Sequence, residues 1–239
     1  MMAQFLIFSL TATLGAMGEL AGHERRGTLV WPGRSAILGL LGAAKGIDRT
    51  GDFSALDALD IAVAVFDSGG LLRDYHTVQT VPSAAVNKPN SRPEALAAAK
   101  HRTNTTITKR DYRTGSLYGV AVWGNEQTLT QLLDALNEPM YTLYLGRKSC
   151  PLAAPPGAKI VVAEAPAAAL THLVLPPWRR FDRNGDAVTA KTLIVEHHDG
   201  TAGAIGETVN DVPIDRKLWH YTSRRVNQQP VEIIVRGPA

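Results

Sequence analysis

The sequence predicts an α+β fold built around an antiparallel sheet, and three observations predict it. Apolar runs of strand length recur at residues 3–10, 61–66 and 116–123. Between them lie two stretches of helical periodicity: residues 35–44, and the segment in which Leu129, Leu132, Leu133 and Leu136 recur at i, i+3, i+4 and i+7. Turn residues punctuate the junctions, at Asp67-Ser68-Gly69-Gly70 and at Pro139.

Residues 3–10 read as a buried first strand. The run lacks the cationic lead-in of a secretory signal, and no stretch reaches the roughly 18 apolar residues of a membrane span. A soluble, cytoplasmic protein with no membrane partner is expected. The next element is P-G-R-S-A-I-L-G-L-L-G-A-A-K-G-I, which begins at Pro32. At about 100° per residue, Ser35, Gly39, Gly42 and Gly46 fall on one stripe, while Ile37, Leu40, Leu41 and Ala44 fall on the core side. Each glycine inside a helix costs up to about 1 kcal/mol relative to alanine, so the stripe calls for a close approach. A neighbouring strand or a phosphate chain would each serve. Arg34 at the helix start, with Arg25 and Arg26 upstream, tilts the reading toward an anion.

A helical turn at 53–59, a strand at 61–66 and extended chain over 71–81 follow. From 82 to 113 apolar periodicity disappears, and Pro82, Pro89 and Pro93 interrupt the chain. This stretch reads as disordered or as a functional excursion. A strand at 116–123, a helix capped by Asn125 and a strand at 141–145 restore regularity. The order is strand, helix, strand, arm, strand, helix, strand, which suggests a ferredoxin-like sheet with a long basic insertion. Beyond Cys150 the prolines 151, 155, 156, 166, 176 and 177 break the chain, leaving short β runs at 159–162, 189–196 and 231–236. The boundary falls near 150, giving a first domain at 1–150 and a small β-rich domain at 151–239.

The composition is 45% hydrophobic and 20% charged, an ordinary globular balance. A single cysteine excludes an internal disulfide and a multi-cysteine zinc site, and fits a reducing compartment. The net charge is +3, yet residues 73–113 hold eight basic residues against three acidic ones. Concentration of that kind is the footprint of nucleic-acid binding, or else a solvated charged loop.

Three clusters could carry chemistry. In R-D-Y-H-T-V-Q, starting at Arg73, strand alternation puts Arg73, Tyr75 and Thr77 on one face and Asp74 and His76 on the other. Arginine offers a donor fork for phosphate, and the rings offer faces for bases. The structural alternative is a sheet tyrosine and a histidine paired with Asp74. In T-K-R-D-Y-R-T-G, Lys109, Arg110 and Tyr112 interleave cations with an aromatic, as suits a single strand. In L-G-R-K-S-C-P, a glycine turn presents Arg147, Lys148 and Ser149 as an anion nest would. By contrast, His197-His198-Asp199 lacks further ligands for a metal, and D-R-N-G-D at 182–186 lacks the closing glutamate of a calcium loop. There is no P-loop, G-x-S-x-G or dinucleotide fingerprint, so no metal and no cofactor are expected.

Three segments, G-R-S-A-I-L-G-L-L-G-A-A-K-G-I, L-R-D-Y-H-T-V-Q and Y-T-L-Y-L-G-R-K-S-C-P-L, together resemble the fifth Cas protein family of the RAMP superfamily, the family of the CasD subunit of type I-E CRISPR Cascade complexes. They keep the family's order and similar spacing and cover most of residues 1–152. The resemblance implies a ferredoxin-like (RRM-like, RAMP) domain with a thumb at about 73–113. It implies a non-catalytic subunit of a ribonucleoprotein for antiviral defence. That subunit would cap the 5′ handle of the CRISPR RNA, contact the backbone subunit CasC and the large subunit CasA, and meet target DNA through the complex. On this view Arg34, Arg147 and Lys148 hold handle phosphates, Tyr75 and Tyr112 stack on bases, and Arg25, Arg26, Ser35, Gly39, Gly42, Arg73, His76, Lys109, Arg110 and Ser149 complete the RNA surface. A type I-C relative cuts repeat RNA without metal, using a tyrosine, a lysine and a histidine. Tyr75, Lys109 and His76 supply those types here, so a metal-independent endoribonuclease is the alternative.

Overall fold

One sheet of nine strands runs through the residues described by this computed structural model, namely 2–19, 22, 24–179, 187–196, 205–218 and 220–236. In chain order the elements are β1 (Ala3–Gly15), β2 (Arg25–Arg26), α1 (Arg34–Ala44), α2 (Ser54–Asp57), β3 (Asp60–Asp67), β4 (Gly70–Thr80), α3 (Arg92–Ala99) and β5 (Asn104–Trp123). They continue as α4 (Glu126–Asn137), β6 (Lys159–Ala163), α5 (Pro166–Leu170), β7 (Val188–Glu196), β8 (Ile205–Asp215) and β9 (His220–Val235). The main path is β6-β1-β5-β3-β7-β9-β8, with β2 and β4 both joined to β5. Every ladder is antiparallel except β2 with β5.

The sheet is covered on both sides, which explains the unbroken apolar text of β1. Leu6, Phe8 and Leu10 face one core with Ile37 and Leu41 of α1 and Leu129, Leu132 and Leu136 of α4. Phe5 and Ile7 face a second core with Ala169 and Leu170 of α5 and Ile233 of β9. Each buried leucine, isoleucine or phenylalanine contributes about 1.5–3 kcal/mol over its exposed state, so β1 is pinned from both sides. The core stripe of α1 is the expected one with Leu38 added, and Asn125 caps α4 by accepting from the Thr128 amide at 3.0 Å. Strands from both sides of residue 150 share the sheet, since β6 pairs with β1 and β7 with β3.

Three expectations are corrected. Residues 141–145 form no strand: Tyr144 makes one isolated bridge to Pro151, and the Leu145 amide donates to the Cys150 carbonyl at 2.8 Å. The chain folds back on itself there, and the edge of β1 goes to β6 instead. Of the two readings of residues 82–113, disorder is overturned for the part that forms α3 and the first half of β5. The β4–β5 register is unbroken from Gly70↔Thr114 to Thr80↔Asn104. Apart from the buried Asp111 and Tyr112, this ribbon stands clear of both cores, so its sequence carries no apolar face to announce it. Finally, β8 was not foreseen; its Asn210 and Pro213 mark register shifts that break the strand pattern.

Candidate nucleic-acid interface

The L-G-R-K-S-C-P cluster and the glycine-striped helix meet in one groove. A cavity of about 1110 Å³ runs between α1, the loop after Leu145 and β8, with Ser35 and Gly39 on one wall and Arg147 and Lys148 on another. The groove is built by short-range signals acting at long range. Gly146 adopts φ +85°, and a side chain there would run into the Ala16 carbonyl, so the position needs glycine on both counts. That close approach, with the Ala16 amide donating to Leu145 at 3.1 Å, turns residues 147–149 outward. Lys148 and Ser149 are exposed, while Arg147 is half-buried.

The glycine stripe of α1 divides by function. Gly42 is packed beneath Phe53, whose ring would lie 2.6 Å from an added Cβ. Gly46 has φ +73° just past the helix end, the left-handed conformation that favours glycine there. Gly39 alone is open: a Cβ there would meet nothing within 4 Å. Close packing therefore explains Gly42, and the open approach to α1 narrows to Gly39 and Ser35.

The start of α1 already holds an anion. Gly33 offers no side-chain cap, and Asp211 of β8 accepts from the Arg34 amide at 2.6 Å. Arg224 clamps the same carboxylate at 2.7 and 3.0 Å. The Arg34 side chain donates to the Asp57 carbonyl at 2.6 Å, and the Asp57 carboxylate accepts from Arg216 at 2.6 and 3.1 Å. Arg216 in turn lies 4.0 Å over the ring of Phe53, closing that end of the groove.

The other two clusters lie on the β4–β5 ribbon, whose two faces differ. On one face Asp111 is 1% exposed and binds two arginines. Arg73 Nε and Nη2 donate to it at 2.7 and 3.1 Å, and Arg25 Nε and Nη2 at 3.1 and 2.9 Å. Hydrogen bonding from Arg73 outweighs burial and, with Arg25, holds the Asp111 pKa at about 2. Tyr75 and Lys109 are direct neighbours on this face, both exposed. On the other face lie Asp74, His76, Arg110 and Tyr112. Asp74 and His76 pair at 2.5 Å, as the structural alternative for this cluster has it. Tyr112 is 8% exposed, and its ring is covered by Arg147, with the guanidinium carbon 4.8 Å from the centroid.

Sequence reasoning missed the two carboxylates that organise these cations, Asp111 and Asp211. A signal existed for Asp111, a lone acid amid K-R-D-Y-R on a strand; none existed for Asp211, which acts across the fold. Among the described residues, no group of three metal-ligating side chains is assembled. Residues 182–186 and His197-His198-Asp199 lie outside the described residues.

Fold and site together define a class: a mixed α+β sheet protein whose cations are gathered along one ribbon and one groove. The family model for CRISPR-associated protein (Cas_Cas5) matches residues 5–227, and the chain belongs to that family, as the sequence motifs implied. It is 34% identical over 169 residues to the CRISPR system Cascade subunit CasD of Escherichia coli (strain K12), covering 64% of this chain and 70% of that protein. A chain of a CRISPR RNA-guided surveillance complex superposes with a TM-score of 0.71 at 28% identity, covering 98% of this chain and 94% of that one. A crystallised Cas protein follows with a TM-score of 0.61 at 25% identity, over 98% of this chain and 100% of the other.

Proposed function

We propose that this chain is the CasD-type subunit of a type I-E Cascade surveillance complex, a non-catalytic cap that grips the 5′ handle of the CRISPR RNA. The observation that carries this reading is the convergence of Arg147 and Lys148 with the open Gly39 stretch of α1 in one groove, within a family whose relatives include a Cascade subunit. The chain β1–α1–β3–β5–α4–β6, with its strands ordered β6-β1-β5-β3, supports a ferredoxin-like (RRM-like) core. In this reading β4, α3 and the first half of β5 are the thumb, and β7 to β9 are the β-rich C-terminal addition. Contacts with CasC, CasA and, through the complex, target DNA belong to the same proposal.

Filter binding of the purified chain to labelled CRISPR-repeat RNA across a chloride series tests the reading. About six neutralised phosphates give a log–log salt slope near −4, at roughly −0.7 per single-strand contact. A slope near zero overturns it. The ribonuclease alternative predicts cleavage in EDTA that is lost in His76→Ala. Its residues do not converge: Tyr75 and Lys109 share one face of the ribbon, and His76 lies on the other. The RNA is therefore expected to stay intact.

A further inference from the structure

The two carboxylates of the ribbon sort its arginines. Asp111 commits Arg25 and Arg73 to one face. The parallel β2–β5 ladder then sets Arg26 beside Arg110 on the opposite face, about 4.8 Å apart between strands. Like charges side by side repel unless something sits between them. Asp74, across from Arg110 on β4, is bonded to His76 instead. Neither Arg26 nor Arg110 makes a salt bridge to a described residue. The Nε of Arg110 is buried with no hydrogen-bond partner, and so is Nη1 of Arg147 over Tyr112, two residues farther along β5 on the same face. Buried guanidinium donors left unmade are costly, and the solvent-facing remainder of these half-buried side chains is left to take an acceptor from outside.

We propose that Arg26 and Arg110 form one shared seat for a single phosphodiester of bound RNA, and that Arg147 takes a separate phosphate beside it. The proposal rests on the RNA-binding reading above and adds a division of labour: Asp111 is a positioning residue, Tyr112 a platform, and three arginines on one face are the phosphate ligands. A planar guanidinium pair flanking one phosphate matches the fork geometry of that anion.

Salt slopes separate sharing from independence. Arg26→Gln, Arg110→Gln, the double variant and Arg147→Gln are compared with the parent by filter binding to the CRISPR-repeat RNA over a chloride series, with thermal melting to confirm folding. If the phosphate is shared, each single change at Arg26 or Arg110 weakens binding about tenfold and leaves the slope unchanged, because the remaining arginine still neutralises that phosphate. The double variant then loses about 0.7 from the slope, and Arg147→Gln loses about 0.7 by itself. Arg110→Lys, which keeps the charge, retains the parent slope and guards against a misfolded glutamine variant. Losses of about 0.7 in each single and about 1.4 in the double mean two phosphates and overturn the shared seat. Parent-like affinity and slope in the double variant overturn the seat altogether. A parent slope near zero, by contrast, removes the RNA reading itself and the seat with it.

Discussion

The guanidinium of Arg147 rests on the ring of Tyr112, 4.8 Å from its centroid, so a buried aromatic fixes the aim of a groove cation. Tyr112→Ala removes both the packing and the platform. A loss of about 3 kcal/mol in denaturant unfolding is expected, together with weaker RNA binding. Tyr112→Phe keeps the ring and should leave both quantities near the parent values. Equal damage from both substitutions would contradict the platform role.

Gly39 and Gly42, one turn apart on α1, should respond with opposite signs. Gly39→Ala meets no neighbour and gains helix propensity, raising stability by up to about 1 kcal/mol. If RNA backbone approaches α1 there, the same methyl weakens RNA binding. Gly42→Ala drives a methyl into Phe53 and costs about 1–3 kcal/mol. Melting curves and filter binding on the two variants check the contrast.

Asp111 makes stability depend on acid in a defined direction. Its folded pKa of about 2 lies below the unfolded value, so its contribution is complete above the ordinary carboxylate pKa of about 3.9 and is lost as pH falls through about 2. Asp111→Asn lacks the charge at every pH. Unfolding free energies of parent and variant should differ by a constant amount, on the order of 1–3 kcal/mol, above pH about 5 and converge toward pH about 2. A gap that widens on acidification would refute the assignment.

Asp211 joins β8 to the start of α1. Asp211→Ala leaves Arg224, whose side chain is 14% exposed, without its main partner and the Arg34 amide without its acceptor. The loss should be about 3–5 kcal/mol, the cost of stranding a buried charge. Asp211→Asn, which can still accept from the amide, should lose less. Chemical denaturation of the three proteins orders them.

Much of this molecule was legible locally. The run at 3–10, the periodic helix of Ile37, Leu40 and Leu41, the cap at Asn125 and the L-G-R-K-S-C-P turn each state their structure within a few residues, because burial and capping leave marks at helical or strand spacing. The ribbon of β4 and β5 left no such mark. With neither face in the two main cores, its alternation is not apolar against polar, and its order comes from backbone pairing and from ion pairs such as Arg73 with Asp111.

By itself the sequence determined the family, the main elements of the covered sheet and the residues that carry positive charge. Only the tertiary structure decided what each charge does. Arg25 and Arg73 go to Asp111, Arg34 and Arg216 go to Asp57, and Nε of Arg110 and Nη1 of Arg147 are left without a hydrogen-bond partner among the described residues. The reason is that an arginine's type is written at its own position, whereas its partner is chosen by strand register and by residues as much as 159 positions away, as between Arg216 and Asp57.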